Sequence, residues 1–206
     1  RHTRSLCDWS SDVCSSDLRV LYIDSDILCR SDPSALFDQD LQGAVLGAVQ
    51  DTLIRDLGND LMPLGLPPEQ AQDPYFNSGV LLIDLHQWRR EQVSERCFSL
   101  LASSGDRCFY HDQTALNWVL RGRWFSLPQA WNCSAADLER CRSAKLLHYY
   151  GCMKPWADAQ VGVWTHDLWH RVALRQAHLL PFRDHNRMVS KQLLKHRLRL
   201  LLGRPR

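Results

Sequence analysis

Residues 19–26, Arg-Val-Leu-Tyr-Ile-Asp-Ser-Asp, narrow the choice of fold sharply. An apolar run suited to a buried strand (Val20, Leu21, Tyr22, Ile23) stops at two carboxylates, Asp24 and Asp26, one residue apart. Paired acids at the mouth of a buried strand repel each other, and desolvation raises their pKa, unless something cationic joins them. A divalent metal carrying a phosphate would offset that cost, because hard cations take carboxylate oxygen and complete their shell with substrate phosphate. The alternative is that both acids merely end the strand and cap the next turn. Spacing alone leaves both readings open.

Downstream, strand and helix patterns alternate. Ser31-Asp32-Pro33-Ser34 opens a short helix through Leu36 and Phe37, with Pro33 in its first turn. Residues 44–49 read as a second buried strand ending at Gln50-Asp51, and residues 79–83 as a third. Between them, residues 52–75 hold four prolines and two glycines, which predicts a long irregular excursion of binding-loop type. Asp84 is placed to cap one helix carrying Trp88, Val93, Cys97, Leu100 and Leu101 on one side, closed by Gly105. A further helix runs from Asp112 to Leu120 with Gly122 as its stop, and residues 124–127 and 145–149 are strand candidates. This alternation predicts an α/β sheet with ligands at the strand ends.

A length of 206 residues suits one domain with appended helices, and 45% apolar content supports a real core. A net charge of +2 is too small to imply nucleic acid. No apolar run is long enough to span a bilayer, and the first twenty residues show no signal-peptide pattern. The eight cysteines include no zinc-knuckle spacing and are expected to be reduced and mostly buried. Residues 1–18 contain the near-repeat Ser10-Ser11-Asp12-Val13-Cys14 and Ser15-Ser16-Asp17-Leu18, and are expected to be a non-native segment. From Asn186, Arg187, Lys191, Lys195 and Arg199 form a basic stripe beside Val189, Leu193, Leu194, Leu198 and Leu201. That pattern suits a helix on an anionic membrane surface, or a peripheral helix packed on the domain by its leucines.

Four ordered segments carry the chemistry: Asp24-Ser25-Asp26; residues 75–85, Tyr-Phe-Asn-Ser-Gly-Val-Leu-Leu-Ile-Asp-Leu; His111-Asp112-Gln113 with Asn117; and residues 148–156, His-Tyr-Tyr-Gly-Cys-Met-Lys-Pro-Trp. Leu127-Pro128 to Trp131-Asn132 fits the same series. Together they resemble family 8 of the retaining glycosyltransferases, and within it the bacterial enzymes that add glucose or galactose to the lipopolysaccharide core. The resemblance covers about residues 19–165 and leaves residues 166–206 as a helical basic tail.

The resemblance implies a GT-A fold (Rossmann-like), a UDP-hexose donor, a lipid-linked oligosaccharide acceptor and Mn²⁺ or Mg²⁺. Asp24, Asp26 and His148 match the metal ligands, a donor set that suits such a cation. Gly151 and Lys154 match the diphosphate loop, where one lysine contact at ~4 Å contributes on the order of 4 kcal/mol before desolvation. Pro155 and Trp156 would stiffen that loop, and Ser25 sits between the metal acids on the donor side. Asn77, read as standing just before the third strand, and Asp112, read also as a helix N-cap, would bind donor-sugar hydroxyls. Gln113 occupies the place where a double displacement would want a carboxylate, so front-face substitution is expected, with Gln113 steadying the oxocarbenium-like centre.

Relatives begin with a strand-helix-strand unit that grips uracil and ribose, and residues 1–18 do not resemble it. The chain as given is therefore expected to bind UDP-sugar weakly and to aggregate through an uncovered sheet edge. Two other functions compete. One is a non-catalytic remnant or carbohydrate-binding module of the same fold, which would tolerate loss of the site residues. The other is a metal-dependent phosphohydrolase, which would leave Asn77 and the Lys154 loop without purpose. The enzyme reading places the protein in the cytoplasm, peripheral on the inner membrane face.

Overall fold

The computed structural model describes residues 19–151, 154–156 and 163–175. Residues 1–18 and the basic stripe from Arg187 to Arg199 lie outside the described residues. Among those described, no helix is long and apolar enough to cross a membrane.

Two small sheets carry the architecture. The first has the order β1-β4-β3-β5, with β1 Arg19–Ile23, β3 Leu46–Gln50, β4 Phe76–Asp84 and β5 Trp124–Ser126. β4 runs antiparallel to both β1 and β3, while β3 and β5 are parallel. The second has the order β2-β7-β6, from β2 Ile27–Cys29, β6 Cys133–Ser134 and β7 Leu146–His148. β2 and β6 are too short to show periodicity in the sequence, and neither was expected.

β4 decides where the core lies. Its period of two sends Leu81 and Ile83 toward the helices and Val80 and Leu82 toward the opposite face, and an irregularity in the pairing after Asn77 lets Phe76 join the helix side as well. On the helix side, Leu81 packs with Val93, Leu116, Val119 and Leu120. Those residues come from α3 (Val93–Ser104), α4 (Asp112–Val119) and the residue that follows α4. On the other face, Val80 and Leu82 meet Leu36, Leu127, Trp131 and Leu146. A strand buried on both faces reads as a continuous apolar run, which is why residues 79–83 stood out.

The single helix expected after Asp84 is two. Asp84 does cap α2 (Leu85–Arg90), accepting from the Gln87 amide at 2.9 Å. The chain then turns through Gln92 in the left-handed region, φ 49°, before α3. Trp88 Nε1 donates to Ser94 Oγ at 2.9 Å across the break, so both helices bring a face to one core.

The excursion 52–75 is also more ordered than expected. It holds α1 (Gly58–Leu61) and two short 3₁₀ turns, and Ile54, Leu57, Leu61, Leu66 and Tyr75 pack as a satellite core. The Tyr75 hydroxyl donates to Asp60 at 2.8 Å, and burial, then the Asp60 charge, pushes that phenol far up. The described cysteines are free thiols. Cys108, Cys133 and Cys141 are buried, and burial lifts Cys133 to about 12, whereas Cys29 is exposed.

Candidate active site

The site assembles where the two sheets meet. Asp24 leaves β1 and its N–H donates to the Gly79 carbonyl of β4 at 2.9 Å. The chain turns through exposed Ser25 and Asp26 directly into β2, and Ile27 pairs with His148 in the β2/β7 register. That pairing carries an imidazole from more than a hundred residues away to the two acids. His148 Nε2 lies 2.9 Å from Asp26 Oδ1 and 3.5 Å from Asp24 Oδ2. The ligand atoms of Asp24, Asp26 and His148 all lie within 4.8 Å of one another.

His148 is fully buried, and its Nε2 has no hydrogen-bond partner among the described residues. A buried nitrogen facing two carboxylates is the donor set of a divalent-cation site. These residues therefore fit a divalent cation. Gly79 makes room for the ring, because a Cβ there would stand 2.2 Å from His148 Cε1 and 2.9 Å from Asp24 Oδ2.

Electrostatics agree. Burial opposes charge on Asp26, but His148 and Lys154 beside it hold its carboxyl well below the usual range. Lys154 Nζ forms an ion pair with Asp26 and donates to the Tyr149 carbonyl at 2.7 Å. The Tyr22 hydroxyl donates to Asp24 at 2.7 Å, and that bond, with burial, raises the phenol to about 12.

Beside the triad lies a cleft of 410 Å³, bordered by Asp51, Asn77, Asp112, Gln113, Tyr150 and Gly151. Gly151 takes φ 64°, and a Cβ would strike Leu53 at 2.1 Å. Trp156 is half exposed, its ring 5.7 Å from Trp169 of α5 (Trp164–Arg175) and 5.9 Å from Lys154 Nζ.

Two placements differ from expectation. Asn77 sits inside β4, because pairing starts at Phe76 opposite Gln50 and resumes after a register shift that leaves residues 78–80 unmatched on β3. Such bulges re-aim side chains near active sites. Asp112 is the first residue of α4 and forms no N-cap bond. His111 takes φ 51° ahead of it, and the Asp112 carboxylate accepts a long bond of 3.4 Å from Ser78 Oγ.

Asp51 was read in the sequence only as the end of a buried strand, without a role in the site. Buried, it accepts from the Leu53 and Ile54 amides at 2.7 and 3.1 Å, from Asn77 Nδ2 at 3.0 Å and from Gln113 Nε2 at 3.3 Å. Gln113 Oε1 accepts the Ser78 N–H at 2.9 Å. Asn132 was likewise present in a motif without an assigned role.

The sequence model of glycosyl transferase family 8 matches residues 13–160. A lipopolysaccharide 1,2-glucosyltransferase of Escherichia coli K12 is 27% identical over 88% of this chain and 55% of its own length. General stress protein A of Bacillus subtilis is 28% identical over 67% of this chain and 52% of its own. The chain thus spans about half the length of these relatives. The crystal structure of the galactosyltransferase LgtC in complex with donor and acceptor sugar analogues superposes with a TM-score of 0.62. Its identity is 27%, over 75% of this chain and 60% of that one. The fold is that of the GT-A glycosyltransferases, and with three-quarters of its length under that superposition and the acid–imidazole cluster in place, this chain belongs to glycosyl transferase family 8.

Proposed function

We propose that the protein transfers a hexose, glucose or galactose, from a UDP-sugar to a lipopolysaccharide-core or related glycan acceptor, with retention of configuration. The observation that carries this is the convergence of Asp24, Asp26 and His148 beside a cleft lined by Asp112 and Gln113. Asp24, Asp26 and His148 would hold Mn²⁺ or Mg²⁺, which when bound neutralises negative charge on a departing diphosphate. Lys154 supplies a second positive charge for that diphosphate. It must first exchange its Asp26 partner, and Gly151 lets the backbone come close.

Sugar hydroxyls fall to Asp112, which is exposed at the cleft, and to Asn77. Asn77 already bonds Asp51, Gly79 and Asn132, so it offers a hydroxyl little more than one remaining N–H. Asp51 is a poor nucleophile for the same reason, its oxygens being occupied by four donors. Gln113 is an amide, and the cleft therefore favours front-face substitution, in which the acceptor hydroxyl attacks from the side the diphosphate leaves and gives its proton to the leaving phosphate. For Gln113 Oε1 to face the anomeric centre it has to give up only its weaker 3.4 Å contact with Ser78 Oγ, keeping the backbone bond. Trp156 supports the Lys154 loop by packing on α5 and does so beside the donor phosphates.

The reading places the protein on the cytoplasmic face of the membrane, where lipid-linked acceptors and UDP-sugars meet. It is tested by measuring UDP release from a panel of UDP-sugars with a glycan acceptor, with Mn²⁺ and after chelation. Turnover that needs the metal and falls at least a hundredfold in Asp26→Asn, a scale typical of lost charge stabilisation, is the expected result. Metal-independent turnover, or phosphate release in place of UDP, would discard it.

A further inference from the structure

A chain of amide contacts reaches the buried side of His148, and its polarity can be deduced from one backbone group. The Gly79 N–H, which can only donate, meets Asn77 Oδ1 at 3.0 Å and so fixes which end of the Asn77 amide faces it. That same oxygen lies 2.8 Å from Asn132, which must therefore present Nδ2 to it. The other end of Asn132, its Oδ1, then faces His148 Nδ1 at 2.8 Å. An amide oxygen carries no hydrogen, so the proton of that bond belongs to Nδ1.

We infer that Asn132 is a positioning residue that selects the Nδ1-protonated tautomer of His148 and leaves the Nε2 lone pair aimed at Asp24 and Asp26. The inference rests on the divalent-cation reading of that cluster. Asn132 is fully buried and does not line the cleft beside the triad, so its influence on chemistry passes through His148. Its own position is well anchored. It follows the 3₁₀ turn Gln129–Trp131, where the Lys145 N–H donates to the Ala130 carbonyl at 2.7 Å. It precedes Cys133, which pairs with Leu147 in the β6/β7 register, one residue from His148. Without Asn132, no other side chain among the described residues bonds Nδ1, and the Nε2–H form would bond Asp26 directly, spending the lone pair that a cation needs. Partners that hold the second nitrogen of a ligating histidine in this way typically change metal affinity 10- to 100-fold.

The test uses the protein labelled with ¹⁵N in its histidines, with the His148 signals assigned by their loss in His148→Gln. Long-range nitrogen–proton spectra of the wild type should show His148 protonated at Nδ1. In Asn132→Ala the signature should shift toward Nε2–H, and MnCl₂ affinity, measured by titration calorimetry, should fall about 10- to 100-fold. A wild-type ring with no proton on Nδ1 overturns the inference even if Asn132→Ala fails to fold, and so does an Asn132→Ala protein with unchanged tautomer and Mn²⁺ affinity. If His148→Gln binds MnCl₂ as tightly as wild type, the metal reading falls by itself, and the nitrogen spectra alone decide whether Asn132 sets the tautomer.

Discussion

At the level of single residues, the site is built from side chains whose alternatives are excluded by contact. Gly79 is the sharpest case, since a methyl group there would overlap both His148 and Asp24. Gly79→Ala should therefore displace the imidazole, lower Mn²⁺ affinity by at least tenfold and destabilise the fold by about 1–3 kcal/mol, the usual cost of overpacking. Calorimetric titration with MnCl₂ and urea unfolding would check both effects. Asp26 carries a pH dependence with a definite sign. Its folded carboxyl is held below its ordinary value, so its contribution is fully present above about pH 4 and is lost as pH falls further. Urea midpoints of wild type should drop more steeply below about pH 4 than those of Asp26→Asn. Parallel acid limbs would show that the Asp26 contacts with His148 and Lys154 contribute nothing to folding.

Elements position these residues through register and breaks. β4 serves three ends at once, because its alternation builds both cores, its bulge at residues 78–80 places Ser78 and Gly79 in the site, and Asp84 caps α2. The break between α2 and α3 is a local strain. Gln92 holds φ 49°, a conformation that costs an ordinary L-residue about 1–2 kcal/mol and glycine almost nothing. Glycine's greater freedom in the unfolded chain takes back part of that gain, so Gln92→Gly should raise stability by about 0.5 kcal/mol without touching the site. A lower melting temperature in the variant would refute this account of the kink. The sequence predicted one helix here because Val93, Cys97 and Leu100 form a helical stripe, and such a stripe cannot report a single left-handed residue just upstream of it.

In the whole molecule, the acid–imidazole cluster joins two sheets. Asp24 and Asp26 flank the turn between β1 and β2, and His148 ends β7. A cation bound there would tie the sheets together and stabilise the folded state by mass action, about 2.7 kcal/mol at a hundred times its dissociation constant. Mn²⁺ should accordingly raise the melting temperature of the wild type and leave Asp24→Asn unmoved, as thermal melts would show. Much of this was legible along the chain. The strand ending in Asp24 and Asp26, the buried run around Val80 and Leu82, the Asp84 cap and the His148 segment all announce themselves, because each depends on neighbours a few residues away. Asp51 and Asn132 did not, since a lone acid after a strand and an asparagine after a tryptophan look like turn residues. Their roles arise from hydrogen bonds to residues far off in the chain, such as Gln113, Asn77 and His148. Local order and the identity of the chemical groups follow from nearest-neighbour sterics and hydrophobic spacing. Which lone pair meets which proton is fixed only when strand pairing brings distant segments within three ångströms, about one hydrogen-bond length.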